Sequence, residues 1–199
     1  MDWLTGDNLI QLIKTVGYLG IFGIVFAESG LFFGFFLPGD SLLFTAGLLA
    51  SQGFFDISAL VFLVFLGAVL GDQVGYAFGR NVGPKLFKRE NSLFFNKQNL
   101  IRAREFYEKY GVATIILARF MPIIRTFAPI VAGIGQMKYR TFVWFNLIGG
   151  LLWSVALTLS GYYLVQIIPG IEQYISWIVI GIVIISVIPM IVHWVKTKK

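Results

Sequence analysis

The 199-residue chain contains no cysteine and one histidine. Without thiols there is no disulfide framework and no thiolate metal site, and the redox compartment leaves no mark on the sequence. His193, beside Trp194 and Lys196, reads as a residue of the membrane–water interface rather than a catalyst or metal ligand. Charge is also scarce. Asp, Glu, Lys and Arg supply 13% of the chain, about half the share usual in soluble domains. This argues against a soluble globular enzyme, a disordered chain and a nucleic-acid-binding domain. Apolar residues dominate instead: 57% of the chain is hydrophobic, with 20 Phe and 22 Gly, and the mean hydropathy is +0.80. Such a composition belongs to a multi-span membrane bundle, in which Gly lets helices pack closely. The start, Met1-Asp2-Trp3 with Asp7 ahead of Lys14, is acidic where a signal peptide is basic, so no cleaved leader is expected.

Three segments read as ordinary spans: 57–79, 141–165 and 174–195. Each reaches the roughly 20 residues that cross about 30 Å of hydrocarbon. Lys and Arg set their orientation. Residues 80–110 carry Arg80, Lys85, Lys88, Arg89, Lys97, Arg102, Arg104 and Lys109 against Glu90, Glu105 and Glu108. This basic loop is expected in the cytoplasm, together with Lys138-Tyr139-Arg140 and the C-terminal Lys196, Lys198 and Lys199. The connectors 51–56 and 166–173 lack Lys and Arg and belong outside.

Residues 112–137 do not fit as a span, because basic clusters placed on the same side flank them. Two Arg at the bilayer centre cost about 5–7 kcal/mol, while eleven Leu, Ile, Val and Phe return about 3–7. A broken, re-entrant hairpin buried in protein avoids that near-balance, because irregular backbone is tolerated there. Pro122 and Pro129 are the expected breaks, and Gly133 and Gly135 loosen the return. A counterpart occupies residues 29–50, the second part of a 9–50 stretch that opens with an N-terminal helix. There Phe36-Leu37-Pro38-Gly39-Asp40 interrupts the apolar run and Ala46-Gly47 follows. Phe120-Met121-Pro122, Arg125 and Ala132-Gly133 repeat that order. Paired interrupted segments in two halves point to a transporter site. The expected fold is thus an all-α integral membrane domain over 1–199, a multi-span bundle with two opposed re-entrant hairpins in an inverted pseudo-repeat. The simpler alternative is that Pro and Gly only kink two spans.

Four charges sit in or beside the interrupted segments: Glu28, Asp40, Arg119 and Arg125. Each is expensive at depth, so two acids and two bases invite mutual compensation. On an unbroken helix Arg119 and Arg125 would point about 120° apart; a break at Pro122 lets both face one cavity. Arg remains charged and offers phosphate a planar fork of donors. Buried carboxylates favour their neutral form, which makes Glu28 and Asp40 candidate proton carriers. The alternative is a permanent ion-pair cluster that ties the hairpins together. Asp72 and Arg80 are secondary candidates for the cavity, although Arg80 also suits an interfacial anchor. Gly71, Gly75 and Gly79 recur every four residues as one smooth stripe for close helix contact.

Several motifs occur in order: Glu28-Ser29-Gly30, Leu37-Pro38-Gly39-Asp40-Ser41, Ala46-Gly47, and Gly71-Asp72 running to Gly75-Tyr76, Gly79-Arg80 and Gly83. Tyr110-Gly111, Arg119-Phe120, Pro122, Arg125, Ala132-Gly133, Phe142, Asn146, Gly149 and Trp153 follow. Over about residues 20–165 the sequence resembles the DedA family of bacterial membrane proteins, which share the VTT (SNARE-associated) domain. The resemblance implies lipid transport in the bacterial cytoplasmic membrane, with undecaprenyl phosphate or a related anionic lipid as substrate and a proton as coupling ion. It places the functional acids on Glu28 and Asp40 and the functional bases on Arg119 and Arg125. A phosphatidylethanolamine flippase or scramblase and a proton-coupled small-cation antiporter are the alternatives within the family. No cofactor, metal or nucleic acid is implied, and a homodimer is compatible. A membrane phosphatase or transferase would need a nucleophile with its base, or a metal cluster; a transporter rather than an enzyme is expected.

Native thiols being absent, single cysteines introduced at Tyr110 and Gln136 give a clean topology test. Both are expected to react with an impermeant thiol reagent from the cytoplasmic side; labelling from opposite sides would make 112–137 a span.

Overall fold

The computed structural model describes residues 6–31, 39–86, 116–117, 119–168 and 174. All but the first residue of the expected span 174–195, Pro38 and most of the basic loop 80–110 lie outside the described residues. Five helices are seen among those described: α1 Gly6–Gly30, α2 Gly39–Ser51, α3 Ile57–Leu86, α4 Pro122–Ile134 and α5 Tyr139–Ile167. No strand occurs among the described residues. Two stretches of 26 residues, Ile57–Val82 in α3 and Tyr139–Leu164 in α5, are long and apolar enough to cross a membrane. Large apolar side chains are exposed along both: Phe62, Leu70, Val74 and Phe78 on α3, and Trp144, Ile148, Leu151 and Leu152 on α5. Buried polar residues face the opposite way, among them Asp72, Asn146, Ser154 and Thr158. An apolar outside with a polar inside is the pattern of a helix whose solvent is lipid.

The chain divides into two compact units. The first comprises Met1–Ile24, Phe36–Val64 and Ser154–Lys199. In it α2 meets the C-terminal part of α5 through two glycines. A Cβ on Gly47 would strike the Thr158 carbonyl, and one on Gly161 would strike the Phe44 carbonyl. α2 ends in a Schellman motif: Gly53 is left-handed at φ 78, and Phe54 N–H reaches back to the Leu49 carbonyl at 3.1 Å. Asp56 then caps α3 by accepting the Ala59 N–H at 2.8 Å. Its own N–H donates to the Tyr18 hydroxyl at 2.7 Å.

The second unit comprises Val25–Phe35 and Phe65–Trp153. Here the glycine stripe of α3 serves two neighbours. A Cβ on Gly71 would sit 2.6 Å from the Phe26 carbonyl of α1. A Cβ on Gly79 would meet the Ile130 carbonyl of α4, and Gly133 of α4 faces the Tyr76 carbonyl in return. Gly75 lies between them, within reach of Ser29, Pro129 and Ile130. Tyr76 stacks on Phe142 with centroids 4.4 Å apart.

Several boundaries differ from expectation. α3 runs past residue 79 to Leu86, so Arg80 lies in a helix and not in the loop. Gly39 opens α2, whereas α1 continues unbroken to Gly30. α4 starts at Pro122, after an extended Met121 at φ −113, ψ 106. Pro129, expected as a break, lies inside α4. Its ring removes one N–H and crowds the carbonyl of Arg125 four residues earlier; a membrane helix tolerates this where neighbours enclose it, and Pro129 is fully buried. Gly133 and Gly135 do not loosen the turn that follows. Gly135 has ordinary angles, φ −70, ψ 1, and Gln136 takes the left-handed position at φ 55. Met137 N–H closes the motif on the Ala132 carbonyl at 3.0 Å.

Gly79→Ala and Gly133→Ala are each expected to destabilise by about 1–3 kcal/mol, because the added methyl meets backbone that must shift. Gly23→Ala meets nothing within 4 Å and should leave the melting temperature unchanged or slightly higher. Thermal unfolding in detergent checks all three.

Candidate functional site

The second unit gathers four buried charges. Glu28 is 3% exposed, Asp72 4%, Arg119 4% and Arg125 6%. Three helices and the turn before α4 supply them. Glu28 lies two residues before the end of α1, and Asp72 lies beside Gly71, where α1 and α3 approach most closely. Arg119 sits in a turn closed by its N–H on the Ile116 carbonyl at 3.2 Å. Arg125 lies in the first turn of α4, with its N–H on the Met121 carbonyl at 2.9 Å. The change of backbone direction at Met121 lets two arginines six residues apart both point inward.

Each guanidinium has an acid of its own. Arg125 Nη2 donates to Glu28 Oε1, and Arg119 Nη2 donates to Asp72 Oδ2. Arg119 Nη2 also donates to Asn146 Oδ1 of α5. The Asn146 amide in turn donates to the Val69 carbonyl at 3.1 Å, which fixes its orientation. The Arg125 guanidinium lies over the Trp153 ring, 4.7 Å from its centroid. The two arginines are also close enough to interact with each other and with Asp72. The cluster is therefore one electrostatic unit of two positive and two negative groups. α5 makes room for Arg119 with glycines: a Cβ on Gly149 would lie 2.9 Å from Arg119 Cδ.

Among the sequence candidates, Glu28, Arg119, Arg125 and Asp72 come together. Asp72, a secondary candidate in the sequence, is the direct partner of Arg119. Asp40 lies in the first turn of α2, in the other unit, half-buried and engaged in contacts. Arg80 is exposed, and its Nη1 donates to the Tyr76 hydroxyl at 3.0 Å. That hydroxyl donates to the Met137 carbonyl at 2.5 Å, so Arg80 braces the α4–α5 turn. Sequence reasoning did not assign Asn146 and Trp153 to the charges. A fully buried Asn in an apolar span is a usable signal, since a buried amide needs partners; an aromatic in a membrane helix gives none. Among the described residues no three His, Asp or Glu side chains gather as metal ligands would.

Lipid-facing helices around a buried, charge-balanced cluster define a helical membrane protein with a polar centre. Residues 37–163 match the family model of the VTT domain. The chain is similar to protein DedA of Escherichia coli K12, 43% identical over 197 residues that cover 96% of this chain and 90% of the relative. It is 47% identical over 182 residues to an uncharacterized membrane protein of Mycobacterium tuberculosis H37Rv, covering 90% and 79%. It is 32% identical over 163 residues to the inner membrane protein YqjA of Escherichia coli K12, covering 82% and 72%. No solved structure matches the chain significantly. The chain belongs to the DedA family and is a membrane protein of the bacterial inner-membrane type.

Leaving one charge of a buried pair without its partner costs about 3–5 kcal/mol. Asp72→Ala and Arg119→Ala are each expected to lower thermal stability on that scale. The double variant should lose clearly less than the sum, because the pair is then absent. Asn146→Leu should cost about 1–3 kcal/mol, since it removes one acceptor from Arg119 and the donor to Val69. A double-mutant cycle by thermal unfolding in detergent checks the coupling.

Proposed function

We propose that this protein is a proton-coupled lipid transporter that carries undecaprenyl phosphate across the cytoplasmic membrane for reuse in envelope synthesis. The observation that carries the reading is the buried arginine pair in a DedA-family chain. Arg119 and Arg125 are buried close enough to interact, and each offers donors matched to phosphate oxygens. Arg119 Nε and Thr126 Oγ1 are buried and have no hydrogen-bond partner among the described residues. They are spare donors where an anion is to be received. Thr126 directly follows Arg125 at the start of α4, where helix amides also favour an anion.

The acids supply the coupling. With Glu28 and Asp72 ionised the cluster is neutral and the arginines are held by carboxylates. Protonating a carboxylate weakens its hold and leaves positive charge to attract the phosphate. Deprotonation restores the pair and expels the ligand. Asp40, in the first turn of α2, is a further candidate proton carrier within its own unit. Each unit carries one helix of 13 residues, α2 and α4, about 20 Å long and too short to span. We read these as the re-entrant arms of an internal repeat, with the C-terminus in the cytoplasm. The isoprenoid tail stays in lipid while the headgroup crosses. The equal number of acids and bases also suits a zwitterionic headgroup, with phosphate at arginine and ammonium at carboxylate, so phosphatidylethanolamine is the second reading.

Proteoliposomes decide between them. Labelled undecaprenyl phosphate is expected to cross faster with the protein than without it, and phosphatidylethanolamine at the background rate. Arg119→Lys and Arg125→Lys keep the charge but lose the fork and should each reduce transport by about tenfold or more. Normal transport by both folded variants would remove the arginines from the site. Background rates for undecaprenyl phosphate with the wild type would remove the function.

A further inference from the structure

The two arginines are held in different ways. Arg119 is fixed at its edge, where one terminal nitrogen donates to Asp72 Oδ2 and Asn146 Oδ1 and Asn146 is itself tied to Val69. Arg125 is held through Nη2 by Glu28, and its Cζ lies over the Trp153 ring, 4.7 Å from the centroid. A guanidinium has all its N–H donors in one plane. Its face carries none. A π surface is not an oxygen acceptor, so a ring beneath the Cζ does not take the place of a carboxylate or phosphate oxygen.

We propose that Trp153 is a positioning residue for a lipid phosphate: its indole face holds the Arg125 guanidinium in place while the edge exchanges the Glu28 carboxylate for a phosphate oxygen. This rests on the phosphate-lipid reading above. When the carboxylate lets go, a buried guanidinium needs something else to keep it from being left unsupported. Trp153 meets that need. It is 2% exposed, so the contact is desolvated, the condition in which cation–π attraction is strongest. The indole is neutral and does not titrate, so it holds Arg125 equally before and after proton transfer. Being uncharged, it neither repels the incoming phosphate nor competes for donors. Trp153 also sits on α5, whereas Glu28 sits on α1. The face contact therefore survives a departure of α1 from the pair. Arg119 has no such aromatic support among the described contacts, and its two edge acceptors suit an anchor more than an exchanging group.

The test uses the full chain in phosphatidylcholine nanodiscs with a polyprenyl phosphate, the matching polyprenol, and inorganic phosphate as probes. Trp153→Leu is expected to weaken polyprenyl phosphate binding about tenfold and to leave polyprenol binding unchanged. Trp153→Phe keeps an aromatic face and should restore binding to within about threefold of the wild type. A second measurement leaves Trp153 native. With Trp3, Trp144, Trp177 and Trp194 changed to Phe, the emission of the remaining indole should change on adding polyprenyl phosphate and stay constant with polyprenol. Normal affinity in a folded Trp153→Leu variant, or a silent Trp153 at saturating polyprenyl phosphate, would overturn the proposal while leaving the transport reading intact. Equal binding of polyprenol and polyprenyl phosphate by the wild type would overturn the phosphate reading itself. An equal response to inorganic phosphate would move the site from lipid to free phosphate and overturn the lipid assignment.

Discussion

Charge buried in a low-dielectric interior must be answered by opposite charge, and this requirement organises the second unit. Glu28, Asp72, Arg119 and Arg125 are all nearly inaccessible. None is tolerable alone at depth, and each pair neutralises itself. The pairs also join elements distant in sequence: the end of α1 to the start of α4, and α3 to the turn before α4. Asn146 adds α5 by linking Arg119 to the Val69 carbonyl of α3. A hydrophobic residue in any one of these places would leave its partner stranded. The charges thus specify which helices meet, a task that apolar side chains perform poorly in lipid, where all apolar contacts are similar.

Close helix approach makes those pairs geometrically possible. The carboxylates sit near the helix backbone on short side chains, so the elements carrying the arginines must come near. The α3 glycines provide this, with Gly71 meeting α1 and Gly79 meeting α4. Gly149 then leaves space for the Arg119 stem. Pro129 belongs to the same packing. Inside α4 it gives up a backbone hydrogen bond, and its buried ring faces Gly75, where no side chain opposes it. A residue that breaks helices in water becomes a packing element here.

A neutral cluster that includes two guanidiniums has two stable uses. With both acids ionised it is a structural clamp. With an acid neutralised it becomes a site of excess positive charge. On the transport reading the same four residues serve both, proton binding and anion binding being linked through the arginines they share. The difference between the two guanidiniums gives that linkage a direction: the hydrogen-bonded Arg119 fixes the geometry, and the aromatic-supported Arg125 is suited to exchange.

Composition and hydropathy alone determined that the chain is helical and lives in lipid, since only helices satisfy the backbone within such apolar runs. The motif order around Glu28, Asp72, Arg119 and Arg125 was enough to suggest the family. The recurrence of Gly71, Gly75 and Gly79 revealed a contact face, because a period of four marks one side of a helix. Other features were not legible. Sequence spacing could not reveal which acid meets which arginine, so Asp72 stood second to Asp40 until the fold placed it against Arg119. Pro129 looked like a break because its cost is local, whereas what offsets it is the packing around it. Gln136, not the neighbouring glycine, takes the left-handed turn, since Gly135 caps α4 with ordinary angles and the reversal falls one residue later. Trp153 stood in the motif series, but nothing in the sequence tied it to Arg125. Periodicity reports which face of a helix is buried, but the partner across that face is decided by long-range packing, and only the tertiary structure supplies it.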